Sequence, residues 1–222
     1  MRHLRCAAPA AVTLALCLSS SAAASGGPIV TPAGGAALSA WFKAVLELPV
    51  PVNPLGAGDP CLRLGPNGKL LVAVSFPDAP GNCTAEVGTV VMTGANHFCS
   101  TFSFDRGTDF YAESRREQRQ CARTVSTETA VLVSVDGAPF VNLTQPRFSV
   151  YTPQLTIHLP ADNMIGINPE TATITGFGWH AKIHNLRVGR HHYTTKIQRD
   201  GTWTAYEHEI KVVPRRHPHG SD

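Results

Sequence analysis

The histidines are the first residues of this 222-residue chain whose types and spacing could do chemistry. His180 and His184 form an H-x-x-x-H pattern, which on a helix places two imidazoles on one face, as in zinc proteases. Phe177, Trp179 and Ile183 surround them, no acidic residue lies between them, and the segment has the pattern of a strand. Strand residues four positions apart are about 13 Å from each other. One metal ion cannot reach both rings, so we expect no metal site.

Aromatic side chains give a better indication of a binding surface. Trp203 falls on the polar face of a predicted strand over 202–213, and Trp179 falls near the end of another. An exposed aromatic ring can stack on the C–H face of a sugar, whereas a ring covered by a helix or loop is structural. Both alternatives stay open, and the candidate ligand-binding residues are Trp179, Trp203, His180 and His184.

No catalytic set is visible in the sequence. It has no G-x-S-x-G nucleophile elbow. Glu207 and Glu209 would lie about 6.6 Å apart on one strand face, a separation conceivable for sugar hydrolysis, but carboxylates in that arrangement are normally solvated. The sequence therefore predicts a non-catalytic domain without a metal or cofactor. The alternative is a secreted hydrolase whose site is assembled from distant residues.

The first 24 residues have the order of a secretory signal peptide. Arg2 and Arg5 give a basic start, residues 6–18 are mainly apolar, and residues 19–25 are small. The apolar run is shorter than the roughly 20 residues that span a bilayer, and no later run is longer. We expect this segment to be removed after export, leaving a secreted or cell-envelope protein without a transmembrane segment.

Export decides how the cysteines are interpreted. Cys17 would carry a lipid anchor, but the bulky leucine before it does not suit a lipobox. Four cysteines remain in the expected mature chain, and an even number in an exported protein predicts two disulfides. They allow three connectivities. We favour Cys61–Cys83 and Cys99–Cys121, because each joins neighbours spaced 22 positions apart along the chain.

The charge is close to balanced. The formal net charge is +3, and two of the positive charges, Arg2 and Arg5, belong to the expected signal peptide. Such a chain does not indicate a nucleic-acid partner or an anionic membrane. The only basic cluster is terminal, and we expect a disordered basic tail over 214–222. The expected partner is therefore an extracellular or cell-envelope component, a glycan or a protein.

Two segments precede the predicted strands. Residues 25–35 are rich in Gly, Pro and Ala and are predicted to be a flexible leader. Apolar residues then recur at helical spacing from Leu38 to Leu48, and Pro49 ends the pattern. We predict an amphipathic helix over 37–48 that covers one face or end of a sheet.

The rest of the chain alternates short apolar runs with turn residues. Asp136-Gly137 and Asp200-Gly201 are turn signals, the second within a hairpin. Phe98 and Cys99 are expected to point to opposite faces of one strand, and residues 105–125 are predicted as a loop that includes one helical turn. Further predicted strands are 69–76, 87–92, 129–135, 147–159 broken at Pro153, 171–179, 192–198 and 202–213.

This pattern predicts an all-β fold. Short strands at regular spacing, separated by Gly, Pro and Asp turns, are typical of an antiparallel β-sandwich, immunoglobulin-like or jelly-roll-like. We predict eight to ten strands in one domain over 36–213, with one N-terminal amphipathic helix and two disulfides. Residues 126–213 have the length and strand number of an immunoglobulin-like half, without the Cys…Trp…Cys core of antibody domains.

A resemblance to other protein sequences rests on short segments spread over roughly 38–213. They are Trp41-Phe42, Leu48-Pro49, Val52-Asn53-Pro54, Cys61, Cys83, Asn96, Cys99-Ser100, Val135-Asp136-Gly137, Leu159-Pro160, Asp162-Asn163, Gly176-Phe177-Gly178-Trp179, Leu186, Gly189 and His191. In this order they resemble a family of uncharacterised secreted bacterial proteins with a signal peptide, four cysteines and a C-terminal immunoglobulin-like region. The chain departs from that family at Leu71 or Val72, where members carry Trp, and at Arg190, where they carry Thr. The resemblance implies a shared fold and pairing of neighbouring cysteines, and it implies no activity.

Overall fold

The computed structural model describes residues 26–215. The expected signal peptide, and the tail from residue 216 onward, lie outside the described residues. Two helices are present in the described part, α1 at Gly35–Glu47 and α2 at Arg115–Thr124. The strands there are β1 Ile29–Pro32, β2 Cys61–Leu64, β3 Leu70–Ala73, β4 Gly81–Glu86, β5 Val90–Ser100, β6 Glu128–Val135, β7 Val141–Asn142, β8 Ser149–Tyr151, β9 Leu155–His158, β10 Thr171–His184, β11 Gly189–Arg199 and β12 Thr202–Val213.

The strands form two sheets around a shared core. The first sheet has the order β1-β10-β5-β3-β2, and β8 and β9 also pair with β10. The second sheet has the order β4-β12-β11-β6-β7. One buried cluster contains Val91 and Ile183 from the first sheet and Val133 and Ile210 from the second. The mostly β fold with two disulfides is thereby confirmed, but the described residues form twelve strands rather than the eight to ten predicted.

Two strand pairs correct the expectation of a purely antiparallel fold. β3 pairs with β5 in parallel, and β4 pairs with β12 in parallel. Between β3 and β5 the chain crosses to the second sheet, forms β4 there and returns, so β5 runs in the same direction as β3. Turn motifs in the sequence predict hairpins between consecutive strands. They do not predict a connection that passes through the other sheet. The run predicted at 87–92 accordingly divides between the turn after β4 and the start of β5.

The second helix was not predicted. Residues 105–125 were expected to be a loop with one helical turn, but α2 has ten residues. The Ser114 side chain accepts a hydrogen bond from the Glu117 backbone N–H, and the Glu117 side chain accepts one from the Ser114 backbone, which is a capping box. Only Gln118 and Ala122 of this helix are buried. The S-x-x-E pattern of Ser114 and Glu117 was a sequence signal for the start of this helix.

The expected flexible leader contains a strand. Ile29–Pro32 forms β1, which pairs antiparallel with the last four residues of β10, 181–184. Ile29, Val30 and Thr31 are β-branched and suit a strand. The segment was predicted to be flexible because glycines and prolines surround this short β-branched run.

The other local predictions agree with the structure. Helix α1 covers the predicted 37–48 to within two residues at either end. The Asp200-Gly201 hairpin joins β11 to β12, with positive φ at both turn residues, 48° and 76°. The ring of Phe98 packs edge-on against Phe42 of α1, at 5.5 Å between centroids, while Cys99 on the opposite face bonds α2.

Both disulfides have the predicted connectivity. Cys61–Cys83 joins β2 at the edge of the first sheet to β4 at the edge of the second, with Cα atoms 5.6 Å apart. Cys99–Cys121 joins β5 to α2. In addition, an Arg63 guanidinium nitrogen donates a 2.6 Å hydrogen bond to the Thr84 carbonyl. The first disulfide and this hydrogen bond thus hold the two sheets together along one edge. Neither helix of residues 26–215 has the length and apolar character needed to cross a bilayer.

Candidate functional site: the histidine cavity

A cavity of about 180 Å³ lies beside the short contact between β3 and β5. These strands pair only at Leu70 with Val90 and at Leu71 with Val91. Much of the cavity wall comes from the residues that follow this contact. They are residues 72–75 at the end of β3 and just after it, and residues 92–94 and Asn96 within β5. Trp41 of α1 and residues of β10, β11 and β12 complete it. We call this space the histidine cavity, after His180 and His208 in its wall.

The cavity wall is largely apolar and carries no formal charge. It contains apolar side chains such as Val72, Met92 and Ile197, and no Asp, Glu, Lys or Arg among the described residues. Thr93 of the first sheet and Thr195 of the second also line it, and their hydroxyl oxygens lie 2.7 Å apart in a hydrogen bond that joins the sheets. These two hydroxyls therefore partly satisfy each other.

His180 is the most unusual group in this wall. It lies on β10 and is 3% exposed, both of its ring nitrogens are buried, and its polar neighbour is the backbone of Thr93. A Cβ atom at Gly94, which has φ +149°, would lie 2.8 Å from Nδ1, so the imidazole occupies room that a larger residue would take. Burial lowers the pKa of His180 to about 4. The ring is thus neutral at physiological pH, with one N–H donor and one acceptor nitrogen.

His208 reaches the same cavity from β12. Its Nε2 lies 3.1 Å from the Ser75 hydroxyl, while Nδ1 has no hydrogen-bond partner within the described chain. The ring stacks on Tyr193 with 4.2 Å between centroids and an interplanar angle of 7°. Burial lowers the pKa of His208 to about 4 and raises the pKa of Tyr193. His208 is therefore a second neutral imidazole with hydrogen-bonding capacity to spare.

A separate polar group between the sheets contains an ionised carboxylate. The Glu128 side chain on β6 is fully buried, and its Oε1 accepts hydrogen bonds from His97 Nε2 at 2.6 Å and Arg199 Nε at 2.9 Å. Burial opposes ionisation of Glu128, but the hydrogen bonds from His97 and Arg199 outweigh it and lower its pKa to about 2. We call these three residues the Glu128 cluster.

The structure separates the four candidate ligand-binding residues. Only His180 lines the histidine cavity. His184, on the same strand, lies 2.9 Å from the Thr31 hydroxyl at the sheet edge. Trp179 is buried beneath Arg123, whose guanidinium carbon lies 5.1 Å from the Trp179 ring centre, so of the two alternatives the covered, structural ring applies to it. Trp203 is 47% exposed on the outer face of the second sheet.

His208 was missed as a candidate although its position is visible in the sequence. It alternates with Tyr206, Ile210 and Val212 on the apolar face of β12, where a histidine is normally a hydrogen-bonded core residue. Its unsatisfied Nδ1 depends on contacts with other strands. The carboxylate pair of Glu207 and Glu209 faces the outer surface, where Glu209 pairs with Arg190 at 3.0 Å.

Comparisons with known proteins do not identify the chain. No protein-family model and no curated protein matches it. Among solved structures, the solution structure of Amebosin is 13% identical with a TM-score of 0.27, covering 67% of this chain and 100% of that one. PbICP-C in complex with falcipain-2 is 10% identical with a TM-score of 0.22, covering 66% and 98%. A family 123 glycoside hydrolase from Clostridium perfringens is 10% identical with a TM-score of 0.20, covering 62% and 23%. Likenesses this slight carry no argument about function.

Proposed function

We propose that this protein is an exported, non-catalytic binding domain that holds a small molecule in the histidine cavity. We also propose that its two sheets form a β-sandwich with an immunoglobulin-like half at 126–213, and that it belongs to the family of secreted bacterial proteins that its sequence resembles. The observation that carries the binding proposal is the cavity itself, a space of about 180 Å³ whose wall is largely apolar and carries no formal charge.

The energetic argument starts from the apolar part of the wall. Val72, Met92 and Ile197 line the cavity, and burying apolar surface against such side chains stabilises a complex by roughly 25 cal/mol per Å². The nitrogens of His180, and Nδ1 of His208, are shielded from the cavity, so binding does not depend on a hydrogen bond to them.

The disulfides support export. Each bridge closes a loop of 22 positions and stabilises the fold by about 3 kcal/mol, mainly by restricting the unfolded chain. Such bonds persist in an oxidising compartment. An exported domain stabilised in this way can tolerate unsatisfied groups in a binding cavity, because other parts of the fold compensate for them.

The binding proposal is tested with the mature protein and neutral single-ring compounds. Ligand-observed NMR should show that toluene binds the wild type. The substitution Val74→Phe, at a buried residue of the cavity wall, should fill the space and abolish binding. The matched control Val188→Phe, at a residue 56% exposed, should leave binding unchanged. No binding to the wild type, or equal binding to Val74→Phe, would contradict the proposal.

One observation favours a second candidate function, serine-dependent hydrolysis. Ser75 Oγ and His208 Nε2 lie 3.1 Å apart in the cavity wall, within the reach needed between a nucleophile and its base. Against it, His208 Nδ1 has no orienting carboxylate within residues 26–215, and burial makes this imidazole a weak base. A fluorophosphonate adduct on Ser75, absent from Ser75→Ala, would favour hydrolysis over binding alone.

A further inference from the structure

We propose that the protein has a second binding site, separate from the histidine cavity, in which a groove beside helix α1 holds a free straight-chain fatty acid. This groove has a volume of about 410 Å³, and we call it the lysine groove after Lys69 and Lys182 in its wall. Three properties of the groove point to this class of ligand: its apolar surface, its two lysines and its size.

The alanines of α1 explain why a groove exists beside this helix. Ala36, Ala37 and Ala40 form one wall, and their side chains are too short to fill the space between helix and sheet. Leu70 of β3 and Val90 of β5, which pair with each other, belong to the opposite wall. Both are only partly buried, so the groove leaves apolar surface in contact with water. An alkyl chain lying in the groove would cover this surface, which is favourable.

The charge of the groove is positive. Among the described residues, Lys69 and Lys182 are the only charged residues in its wall. Neither forms an ion pair with a carboxylate of residues 26–215. Lys182 is partly buried on β10, and a lysine in such a position lays its aliphatic stem along apolar surface and keeps its ammonium group at the rim. A carboxylate at the rim would pair with this charge, so the ligand is an anion.

The size and polarity of the groove limit the ligand to one alkyl chain with one head group. Apart from the two lysines, no polar side chain of residues 26–215 lines it, so the hydroxyls of a sugar would find no side-chain partner there. A methylene group is about as large as a water molecule, which occupies about 30 Å³ of the liquid. The volume of about 410 Å³ therefore accepts a single chain of roughly ten carbon atoms, and not the two chains of a membrane lipid. The occupant is thus a free fatty acid rather than a phospholipid.

The lysine groove and the histidine cavity are distinct spaces. Val72 and Met92 follow Leu70 and Val90 by two positions on β3 and β5, and they line the histidine cavity instead. Both are buried, at 8% and 1% exposure. The substitution Val74→Phe should therefore fill the histidine cavity without reaching the groove.

The test compares octanoate with 1-octanol, which has the same chain length and no charge. Titration calorimetry on the mature protein should give an affinity about fivefold higher for octanoate, the effect of one partly exposed ion pair. Lys182→Met removes the charge and keeps an unbranched stem, so it should reduce this ratio to below about two, since only the exposed Lys69 remains. The control Lys211→Met, at an exposed lysine of β12, should keep the fivefold ratio.

A longer chain tests the apolar part of the site. Decanoate should bind about fivefold more tightly than octanoate, because two more methylene groups are partly covered. Equal affinities of the two acids would mean that only the head group is bound, which would contradict the groove. Equal affinities of octanoate and 1-octanol would show that the ligand is not an anion.

Further outcomes separate this site from the function proposed for the histidine cavity. If Val74→Phe abolishes octanoate binding, fatty acids occupy the cavity and the groove is not their site. If octanoate does not bind while toluene does, the groove proposal is wrong and the cavity function stands. Binding to phosphatidylglycerol vesicles without binding of free octanoate would replace the fatty acid with a membrane surface.

One measurement needs no variant. The methyl resonances of Ala36, Ala37 and Ala40 should shift in the NMR spectrum when octanoate is added, because these side chains line the groove. Unshifted resonances at a concentration that saturates the protein would refute the groove as the site.

Discussion

The Glu128 cluster and the histidine cavity are two groups of buried polar side chains in one domain, and they follow opposite rules. In the cluster, the buried Glu128 carboxylate is ionised because His97 and Arg199 donate hydrogen bonds to it. In the cavity, His180 and His208 are neutral because burial without an opposite charge removes their protons. Hydrogen-bond partners lower the pKa of Glu128, whereas burial lowers the pKa values of His180 and His208.

This difference indicates which of the two groups stabilises the fold. The cluster joins β5 of the first sheet to β6 and β11 of the second, so its hydrogen bonds contribute to the packing of the sheets. The His180 imidazole bonds to no side chain of the described residues, and its burial disfavours the protonated form. A neutral imidazole in a cavity wall is a candidate for binding, whereas the Glu128 carboxylate has a structural explanation in the donors to its Oε1, although its Oε2 has no partner among the described residues.

The largest effect expected is an acid sensitivity that comes from the cavity. His180 and His208 have folded pKa values of about 4 against a usual 6.5, so the unfolded chain binds more protons between these values. Stability is therefore complete above pH 6.5 and falls as the pH drops toward 4, by about 3 kcal/mol for each histidine. Urea unfolding at pH 7.0, 5.5 and 4.5 measures this loss.

Two variants locate the acid sensitivity. His180→Met should remove about half of the decline between pH 7.0 and 4.5, and His192→Gln, at an exposed position on β11, should leave it unchanged. Glu128 should not contribute in this range, because its stabilisation is lost only as the pH falls from 4.5 toward its folded pKa of about 2. A stability that stays constant down to pH 4.5 would show that the cavity histidines are solvated.

The next effect comes from removing the charge of the cluster. Glu128→Gln keeps the shape of the side chain but loses the charge-assisted hydrogen bonds, so we expect the free energy of unfolding at pH 7 to fall by about 2 kcal/mol. Glu113→Gln, at an exposed residue, is the matched control and should change it by less than about 0.5 kcal/mol. Equal stabilities of the two variants would mean that the cluster does not hold the sheets together.

The sequence allowed the local structure to be predicted, and the reasons are physical. Helix α1 has a wide apolar stripe, the β11–β12 hairpin has an Asp-Gly turn, and the cysteines pair with neighbours along the chain. Each of these signals lies within a few residues or follows from chain order. Strand β4 and the parallel pairs depend on contacts between distant segments, for which the sequence contains no local pattern.

The candidate site was predictable only in part, for the same reason. His180 was selected because of its spacing from His184, yet the two rings have different surroundings. Its place in a cavity wall depends on residues of β3, β5 and β11 rather than on β10 itself. The Glu128 cluster was not predicted, since its three residues lie far apart in the sequence and none has a distinctive pattern.

A third, smaller effect has the opposite sign to that of the cluster. His180→Met replaces a buried polar imidazole with an apolar side chain that adapts to irregular space, so the free energy of unfolding at pH 7 should rise by about 1 kcal/mol. The same substitution in the cluster, His97→Met, removes a donor to Glu128 and should lower it. Equilibrium unfolding in urea compares them directly. A loss of stability in His180→Met would mean that this ring has a structural role.

The smallest effect is expected on the outer face of the second sheet. Trp203 is 47% exposed there, and the amino group of Lys196, also on this sheet, lies 4.9 Å from the ring centre of the exposed Phe140. A glycan partner would stack on such rings, so Trp203→Ala would then weaken retention on immobilised polysaccharide. If binding belongs to the cavity instead, this variant should change stability by less than about 0.5 kcal/mol and leave both retention and toluene binding unaltered. Weaker retention with unaltered toluene binding would establish a second binding surface on the outer face of the second sheet. The comparison of the Glu128 cluster with the histidine cavity would then leave out one of the binding surfaces of this domain.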